Sequence, residues 1–263
     1  MGRVVRISEG TCRTQKRLDT ILEKIESEAD NRIGDTPYVL KVKAGVYMVQ
    51  QPGEMLESML DRASMAVRSE YNTEIKHCNF YNETIRSRML KNREIEDCFA
   101  EALKNQEFYL CYQPKFRVAE KRWCGAEALV RWNNPKSGVV SPAEFIPVLE
   151  HSGGIVELDE YVLEMVCRQM RQWLGEGLGV LPVSVNVSRL HLYRLNFVEQ
   201  YLTIIDRYQI PHELIQLEMT ETALFSNEDI LSETLEKLRS KGIRILMDDF
   251  GSGYSSVTML KSM

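Results

Sequence analysis

Short apolar runs recur along the chain after residue 107, and each is followed directly by a polar side chain that carries oxygen. The apolar residues of these runs lack helical spacing, which favours buried strands. The runs and the side chains that follow them are 108–112 with Gln113, 123–126 with Glu127, 182–185 with Asn186, 214–217 with Glu218, and 243–247 with Asp248 and Asp249.

Helical stretches separate these runs. Apolar residues spaced three and four apart predict helices over 83–107, 162–173 and 197–208, and Ser141-Pro142 opens another helix as its cap and first residue. Alternating strands and helices are typical of a parallel α/β fold, here a TIM-type (β/α) barrel. Because the carboxyl ends of barrel strands form one rim, we expect the polar side chains after the runs to meet there.

Residues 1–90 have a different pattern. Alternating apolar residues over 38–49 predict one or two strands with an exposed face, and 53–66 predicts a helix whose methionines fill the core. This stretch contains no carboxylate cluster and no phosphate-binding loop. We therefore divide the chain into an α+β domain, 1–90, and a barrel domain, 91–263.

The paired carboxylates Asp248 and Asp249 are the first candidate for chemistry. They end a predicted strand and are followed by Gly251 and Gly253, which allow a tight turn or close approach to a ligand. Two adjacent anions repel each other unless a cation lies between them, which favours a divalent-metal site. Taken alone, the same pattern is also that of a solvated loop; the other polar strand ends favour the metal.

Composition narrows the range of partners. The net charge of −5 gives no electrostatic support for binding nucleic acid or an anionic membrane. The six cysteines form no CxxC pair and no metal-ligand spacing. No apolar run approaches the roughly 20 residues of a membrane span, and the N-terminus lacks a signal-peptide core. We expect a cytoplasmic protein without a membrane segment in this chain.

Six motifs, in order and spacing, resemble the EAL-domain phosphodiesterases of bacterial cyclic di-GMP signalling. The resemblance covers about 91–263 and implies a TIM-type barrel that hydrolyses cyclic di-GMP to linear pGpG with Mg²⁺ or Mn²⁺. Residues 1–90 resemble the later part of a GGDEF domain, although the GGDEF signature is absent, so we expect no cyclase activity. The EAL motifs are YQPKF at 112–116, EALVRW at 127–132, SPAEFIP at 141–147, VNVS at 185–188, EMTE at 218–221 and DDFGSGYSS at 248–256.

The resemblance implies a two-metal site. It assigns Asp249 to the second ion and implies that Asp249 is catalytic. An all-oxygen ligand set suits hard ions such as Mg²⁺ and Mn²⁺ rather than zinc. Each residue also has a structural alternative, such as a turn cap for Asn186, an arginine pair for Glu218 or a surface acid for Glu127. The ligands that the resemblance implies for the first ion are Glu127, Asn186, Glu218 and Asp248.

The resemblance also implies substrate contacts. Arg131 resembles the arginine that holds a substrate phosphate, a task that suits a guanidinium fork, and its alternative is an ion pair with a rim carboxylate. Gln113 and Leu129 resemble ligand-contacting positions. Glu221 resembles the glutamate that supports the Asp-Asp-Phe-Gly loop rather than taking part in the chemistry.

The length of the barrel domain sets a further expectation. An eight-stranded barrel typically needs about 250 residues, more than 91–263 provides, so we expect a barrel truncated after about the fifth strand. The family's lysine and glutamate for water activation would lie beyond Met263, and we expect little or no turnover by this chain although its parent protein is a phosphodiesterase. The alternative is a catalytically silent EAL module that binds cyclic di-GMP or a protein partner. By analogy we expect a homodimer.

Overall fold

The chain divides into two compact units, Met1–Glu94 and Ile95–Met263. Several sequence-based predictions, among them the strand residues 38–41, the acid Asp249 and the rest of the 248–256 motif, lie outside the described residues. Among the helices that are described, none has the length and apolar character needed to cross a membrane. The computed structural model of the protein describes residues 16–24, 42–51, 53–68, 78–221 and 228–248.

The first unit contains a parallel pair of short strands packed on a helix. Val46 pairs with Phe80, and the strands approach the helix so closely that a Cβ on Gly45 would lie 1.9 Å from the Ala63 carbonyl oxygen. The assignment of this unit to a GGDEF-like domain stays a prediction. Its described elements are α1 (16–24), β1 (Ala44–Val46), α2 (Leu56–Arg68) and β2 (Cys78–Phe80).

The second unit is a mixed α/β fold. The long helix α3 (Glu83–Lys104) begins in the first unit and ends in the second. Gly242 has a φ of +88° and ends the last described helix, as a left-handed residue after a helix commonly does. The elements are β3 (Phe108–Arg117), β4 (Arg122–Asn134), β5 (Gly138–Val140), α4 (Pro142–Ser152), α5 (Ile155–Gly175), β6 (Val183–Asn186), α6 (Phe197–Arg207), β7 (Ile215–Thr220), α7 (Glu228–Ser240) and β8 (Arg244–Asp248).

One six-stranded sheet organises this unit. The strand order is β3-β4-β6-β7-β8, and β5 pairs with the end of β4. Strands β4, β6, β7 and β8 are parallel, as predicted. The prediction was wrong for β3, which runs antiparallel to β4 because a short hairpin joins the two, and such a connection allows only antiparallel pairing.

The sequence-based strand ends were also wrong for β3 and β4. β3 continues past Tyr112 to Arg117, and β4 continues past Ala126 to Asn134, so Gln113 and Glu127 lie within their strands and pair with each other. The two strands support each other over this length, and polar residues can continue a strand when one face of the sheet is not packed on the core. Strand β6 ends within one residue of the predicted position, whereas β7 continues past Leu217 to Thr220, so Glu218 also lies within its strand.

The two faces of the sheet differ in chemistry. On one face, the paired residues Ala128, Val185 and Leu217 are almost fully buried in a single apolar core. Trp132 and Phe108, paired across β3 and β4, stack with ring centroids 5.2 Å apart in the same core. The opposite face carries the polar side chains, so the core fixes the sheet and leaves its other face for chemistry.

Candidate active site

Strand register brings the candidate side chains onto one face of the sheet. Directly paired residues on neighbouring strands point to the same side, and residues two apart on one strand share a face. Glu127 pairs with Gln113 on β3 and with Ser184 on β6, and Asn186 pairs with Glu218 on β7. The predicted residues that share this face are Gln113, Glu127, Leu129, Arg131, Asn186, Glu218 and Asp248.

Glu127 and Asn186 are in direct contact. The Asn186 side-chain nitrogen donates a hydrogen bond of 3.0 Å to Glu127 Oε1. The pKa of Glu127 is raised, first by burial and further by the negative charges of Glu218 and Asp248, although Asn186 and Lys115 oppose the rise. Three acids from three strands therefore interact electrostatically, and Asn186 bonds one of them.

Lys115 is a residue of this face to which the sequence reasoning gave no role. Its ammonium group donates hydrogen bonds to Glu218 Oε1 and, at 2.8 Å, to Ser184 Oγ. Glu218 is only 7% exposed and Ser184 is fully buried, so the lysine reaches into the sheet face rather than into solvent. The signal was in the sequence, because Lys115 lies two residues after Gln113 and shares its face.

The segment after Asn186 is held by a buried acid that sequence reasoning also missed. Asp159 Oδ2, on α5, accepts a hydrogen bond of 2.8 Å from the Ser188 backbone N–H and lies 3.2 Å from His191 Nε2. Burial raises the pKa of Asp159, opposed by His191 and the Ser188 N–H. His191 is fully buried and lies 3.3 Å from the Tyr201 hydroxyl. This network positions the chain directly after Asn186.

Arg131 is not ion-paired with any described carboxylate; such a pair was its alternative role. Its guanidinium donates a hydrogen bond of 2.8 Å to the Val130 carbonyl oxygen, and within the described ranges it has no carboxylate partner. It is half-buried and lies on the candidate face, four residues beyond Glu127. Gln113 is exposed and Leu129 is half-buried on the same face. Their roles in holding a ligand stay predictions.

Glu221 follows β7 directly and is 4% exposed. Its predicted role is to support the loop that begins at Asp248, and the rest of that loop lies outside the described residues, as does Asp249. Both roles stay predictions.

The chemistry of the donor set fits Mg²⁺ or Mn²⁺. Carboxylate and amide oxygens are their preferred ligands. A cation among Glu127, Glu218 and Asp248 would relieve the charge repulsion, which adds to burial in raising the pKa of Glu127. The spacing is open, however, since among the described side chains no three acids, histidines or cysteines lie close enough to hold a metal. In this arrangement, Glu218 is bonded to an ammonium group instead.

Comparison with known proteins identifies similar sequences. A family model described as EAL domain matches residues 96–263. The chain is 28% identical over 247 residues to the bifunctional diguanylate cyclase/cyclic di-GMP phosphodiesterase MucR of Pseudomonas aeruginosa, with 93% of this chain and 36% of MucR covered. It is 31% identical over 225 residues to the cyclic di-GMP phosphodiesterase NbdA of the same organism, with 86% and 29% covered. The chain thus spans about a third of the length of these curated relatives.

Solved structures of EAL proteins have a fold similar to that of this chain. The PaMucR phosphodiesterase in a c-di-GMP complex superposes with a TM-score of 0.61 at 35% identity, over 65% of this chain and 69% of that one. The EAL enzyme Bd1971 in a cGMP-bound form superposes with a TM-score of 0.59 at 29% identity, over 69% and 51% of the two chains.

Proposed function

This chain belongs to the EAL domain family, and on that premise we propose that it forms the metal-binding and substrate-binding part of a cyclic di-GMP phosphodiesterase. The reaction is hydrolysis of one phosphodiester bond of cyclic di-GMP, which gives linear pGpG. Two relatives named as phosphodiesterases of this messenger, MucR and NbdA, support the choice of substrate.

One observation carries the proposal. Side chains from 127, 186 and 218, far apart in the chain, meet on one face of one sheet: Asn186 bonds Glu127, and Glu218 and Asp248 act on the charge of Glu127. Such a gathering of acids on one sheet face is electrostatically costly, and it is typical of sites that use the charge.

The residues have separate tasks in this proposal. Glu127, Asn186, Glu218 and Asp248 hold the first Mg²⁺ or Mn²⁺, and Asp249 holds the second. When bound, such ions activate water and neutralise charge in phosphoryl chemistry. Arg131 binds a phosphate oxygen of the substrate through its guanidinium fork, because it lies on the same face and is paired with no carboxylate of the described residues.

Other residues on the same sheet face position the substrate. Gln113, paired with Glu127, and Leu129, two residues further along β4, lie beside the acids and contact the ligand next to them. Glu221 supports the loop that carries Asp248 and Asp249. On the same premise, the sheet is part of a TIM-type barrel. Residues 1–90 form a GGDEF-like domain, and the protein is a homodimer.

Hydrolysis by the full-length protein tests the proposal. Cyclic di-GMP is incubated with Mn²⁺, and pGpG is quantified by chromatography for the wild type, Glu218→Gln and Asp249→Asn. Both variants lose at least about 100-fold in kcat/KM, because each removes a charged ligand of an ion. Glu199→Gln, an exposed acid on α6, serves as the control and keeps wild-type turnover. Equal pGpG formation by all four proteins would refute the assignment.

A receptor function is the second candidate. The observation that favours it is the open spacing of the described acids, with an ammonium group bonded to Glu218. Such a module binds cyclic di-GMP without cleaving it. Saturable binding with no pGpG from the wild type, measured in the same samples by equilibrium dialysis, would support this candidate over the enzyme.

A further inference from the structure

We propose that Lys115 is an internal competitor for the first divalent ion: its ammonium group holds Glu218 when no metal is bound and must leave that carboxylate before a metal can use it. This inference rests on the proposed function, because it assigns Glu218 to a metal. It adds a residue to the site that controls how tightly the ion binds.

The contacts of Lys115 are those of a positioned cation. β3 pairs with β4 so that Lys115 lies opposite Gly125, on the face that carries Gln113 and Glu127. Its ammonium group donates hydrogen bonds to Ser184 Oγ on β6 and to Glu218 Oε1 on β7. The lysine therefore lies within the group of acids rather than at its margin.

The burial of the two partners sets the strength of this pair. The Glu218 side chain is 8% exposed and the Lys115 side chain is 30% exposed. A pair screened from water on one side is stronger than a surface pair, and loss of one partner leaves the other charge poorly solvated. Glu218 thus has a counter-ion without any metal.

The same contact opposes a metal. A lysine ammonium and a divalent ion on one carboxylate repel each other at a separation of a few ångströms, because both are positive. Lys115 has a second partner, the neutral hydroxyl of Ser184, and its side chain is partly open to solvent. It can therefore turn away from Glu218 while keeping a hydrogen bond. Lysine, with a flexible stem and a compact charge, suits this movement better than arginine.

Two measurements on purified protein test the competition. Mn²⁺ affinity is measured by isothermal titration, and thermal unfolding is followed in EDTA and again in saturating Mn²⁺. Lys115→Met removes the charge and keeps the stem, Lys115→Gln is a polar second variant, and Lys136→Met removes an exposed lysine from the β4–β5 turn as a control. Glu218→Gln reports whether the metal uses this site.

We expect loss of the Lys115 charge to lower the stability of the metal-free protein and to raise its affinity for Mn²⁺. Lys115→Met and Lys115→Gln bind Mn²⁺ about tenfold more tightly than the wild type, within the range of about 5–150-fold typical of coupled equilibria. In EDTA both variants unfold at a lower temperature than the wild type, and in saturating Mn²⁺ this deficit shrinks or reverses, because tighter binding stabilises the folded state. Lys136→Met follows the wild type in both buffers.

Two outcomes would overturn the inference, and they differ. Unchanged Mn²⁺ affinity in both Lys115 variants, with the same thermal deficit in EDTA and Mn²⁺, would make the contact an ordinary structural ion pair while the metal site stands. Mn²⁺ binding that is absent from the wild type, or unaffected by Glu218→Gln, would instead remove the proposed metal site, and the competition with it.

Discussion

Replacement of Asp159 by alanine is the perturbation that tests how the site is held in place. Asp159 lies on α5 and is 8% exposed. Its carboxylate accepts the Ser188 backbone N–H at 2.8 Å and contacts His191 at 3.2 Å, directly after the proposed ligand Asn186. Alanine removes both contacts, so the half-buried Ser188 N–H loses this acceptor and the buried His191 keeps only the Tyr201 hydroxyl of the two groups near its Nε2.

The magnitude follows from these two contacts. A hydrogen bond to a charged group contributes about 1.5–3 kcal/mol, and an unpaired buried polar group costs about 1–3 kcal/mol. Burial of Asp159, which raises its pKa, offsets part of this contribution. We expect Asp159→Ala to lower the free energy of unfolding by about 3 kcal/mol. Asp159→Asn, which keeps one oxygen for the Ser188 N–H, loses about 1–2 kcal/mol.

Urea unfolding and hydrogen exchange measure the two parts of this prediction. The urea midpoint gives the loss of stability, and faster exchange of the 186–193 segment shows that the loss is local to the site. Glu157→Gln, an exposed acid on the same helix, is the matched control and stays within about 0.5 kcal/mol of the wild type. If Asp159→Ala unfolds at the midpoint of this control, with unchanged exchange at 186–193, the anchoring role is refuted.

Three further predictions test other parts of the account. Asp206 raises the pKa of His212 above its ordinary 6.5. The imidazolium therefore stabilises the fold at low pH, and this stabilisation is lost as the pH rises through the folded pKa. We expect His212→Ala to lower the free energy of unfolding by about 1 kcal/mol more at pH 6 than at pH 8 in urea titrations. A Cβ at Gly125 would lie 2.7 Å from the Pro182 carbonyl oxygen, so Gly125→Ala costs about 1–3 kcal/mol and lowers the melting temperature, and an unchanged melting temperature would contradict that packing. Because the pKa of Glu127 is raised, its protonation weakens Mn²⁺ binding at a higher pH than protonation of an ordinary glutamate would. Glu127→Gln removes this pH dependence of the Mn²⁺ affinity, measured by titration calorimetry at a series of pH values.

The sequence predicted the parallel strands well, since the runs before Asn186, Glu218 and Asp248 each combine a short apolar segment with a polar end. It failed on β3 because an apolar run has the same pattern in a parallel and an antiparallel strand, and only pairing with β4 decides the direction. The antiparallel pairing also brings Gln113 and Lys115 onto the candidate face from the middle of their strand.

The site residues that sequence reasoning missed depend on tertiary contacts. The spacing of two residues from Gln113 places Lys115 on the candidate face, but its contact with Glu218 is recognisable only when the register against β4 and the reach of the side chain are known. Asp159 lies in an amphipathic helix among many acids, and its burial follows from its contacts with Ser188 and His191 on another element. Both side chains satisfy a partner distant in sequence, which periodicity cannot show.

The most direct test of the central claim is anomalous diffraction from crystals of this protein grown with Mn²⁺ and cyclic di-GMP. The account predicts a manganese peak bounded by the side chains of Glu127, Asn186, Glu218 and Asp248, with Lys115 turned away from Glu218 and a substrate phosphate beside Arg131. A manganese peak elsewhere, or none at this face while the Lys115–Glu218 contact persists, would contradict it.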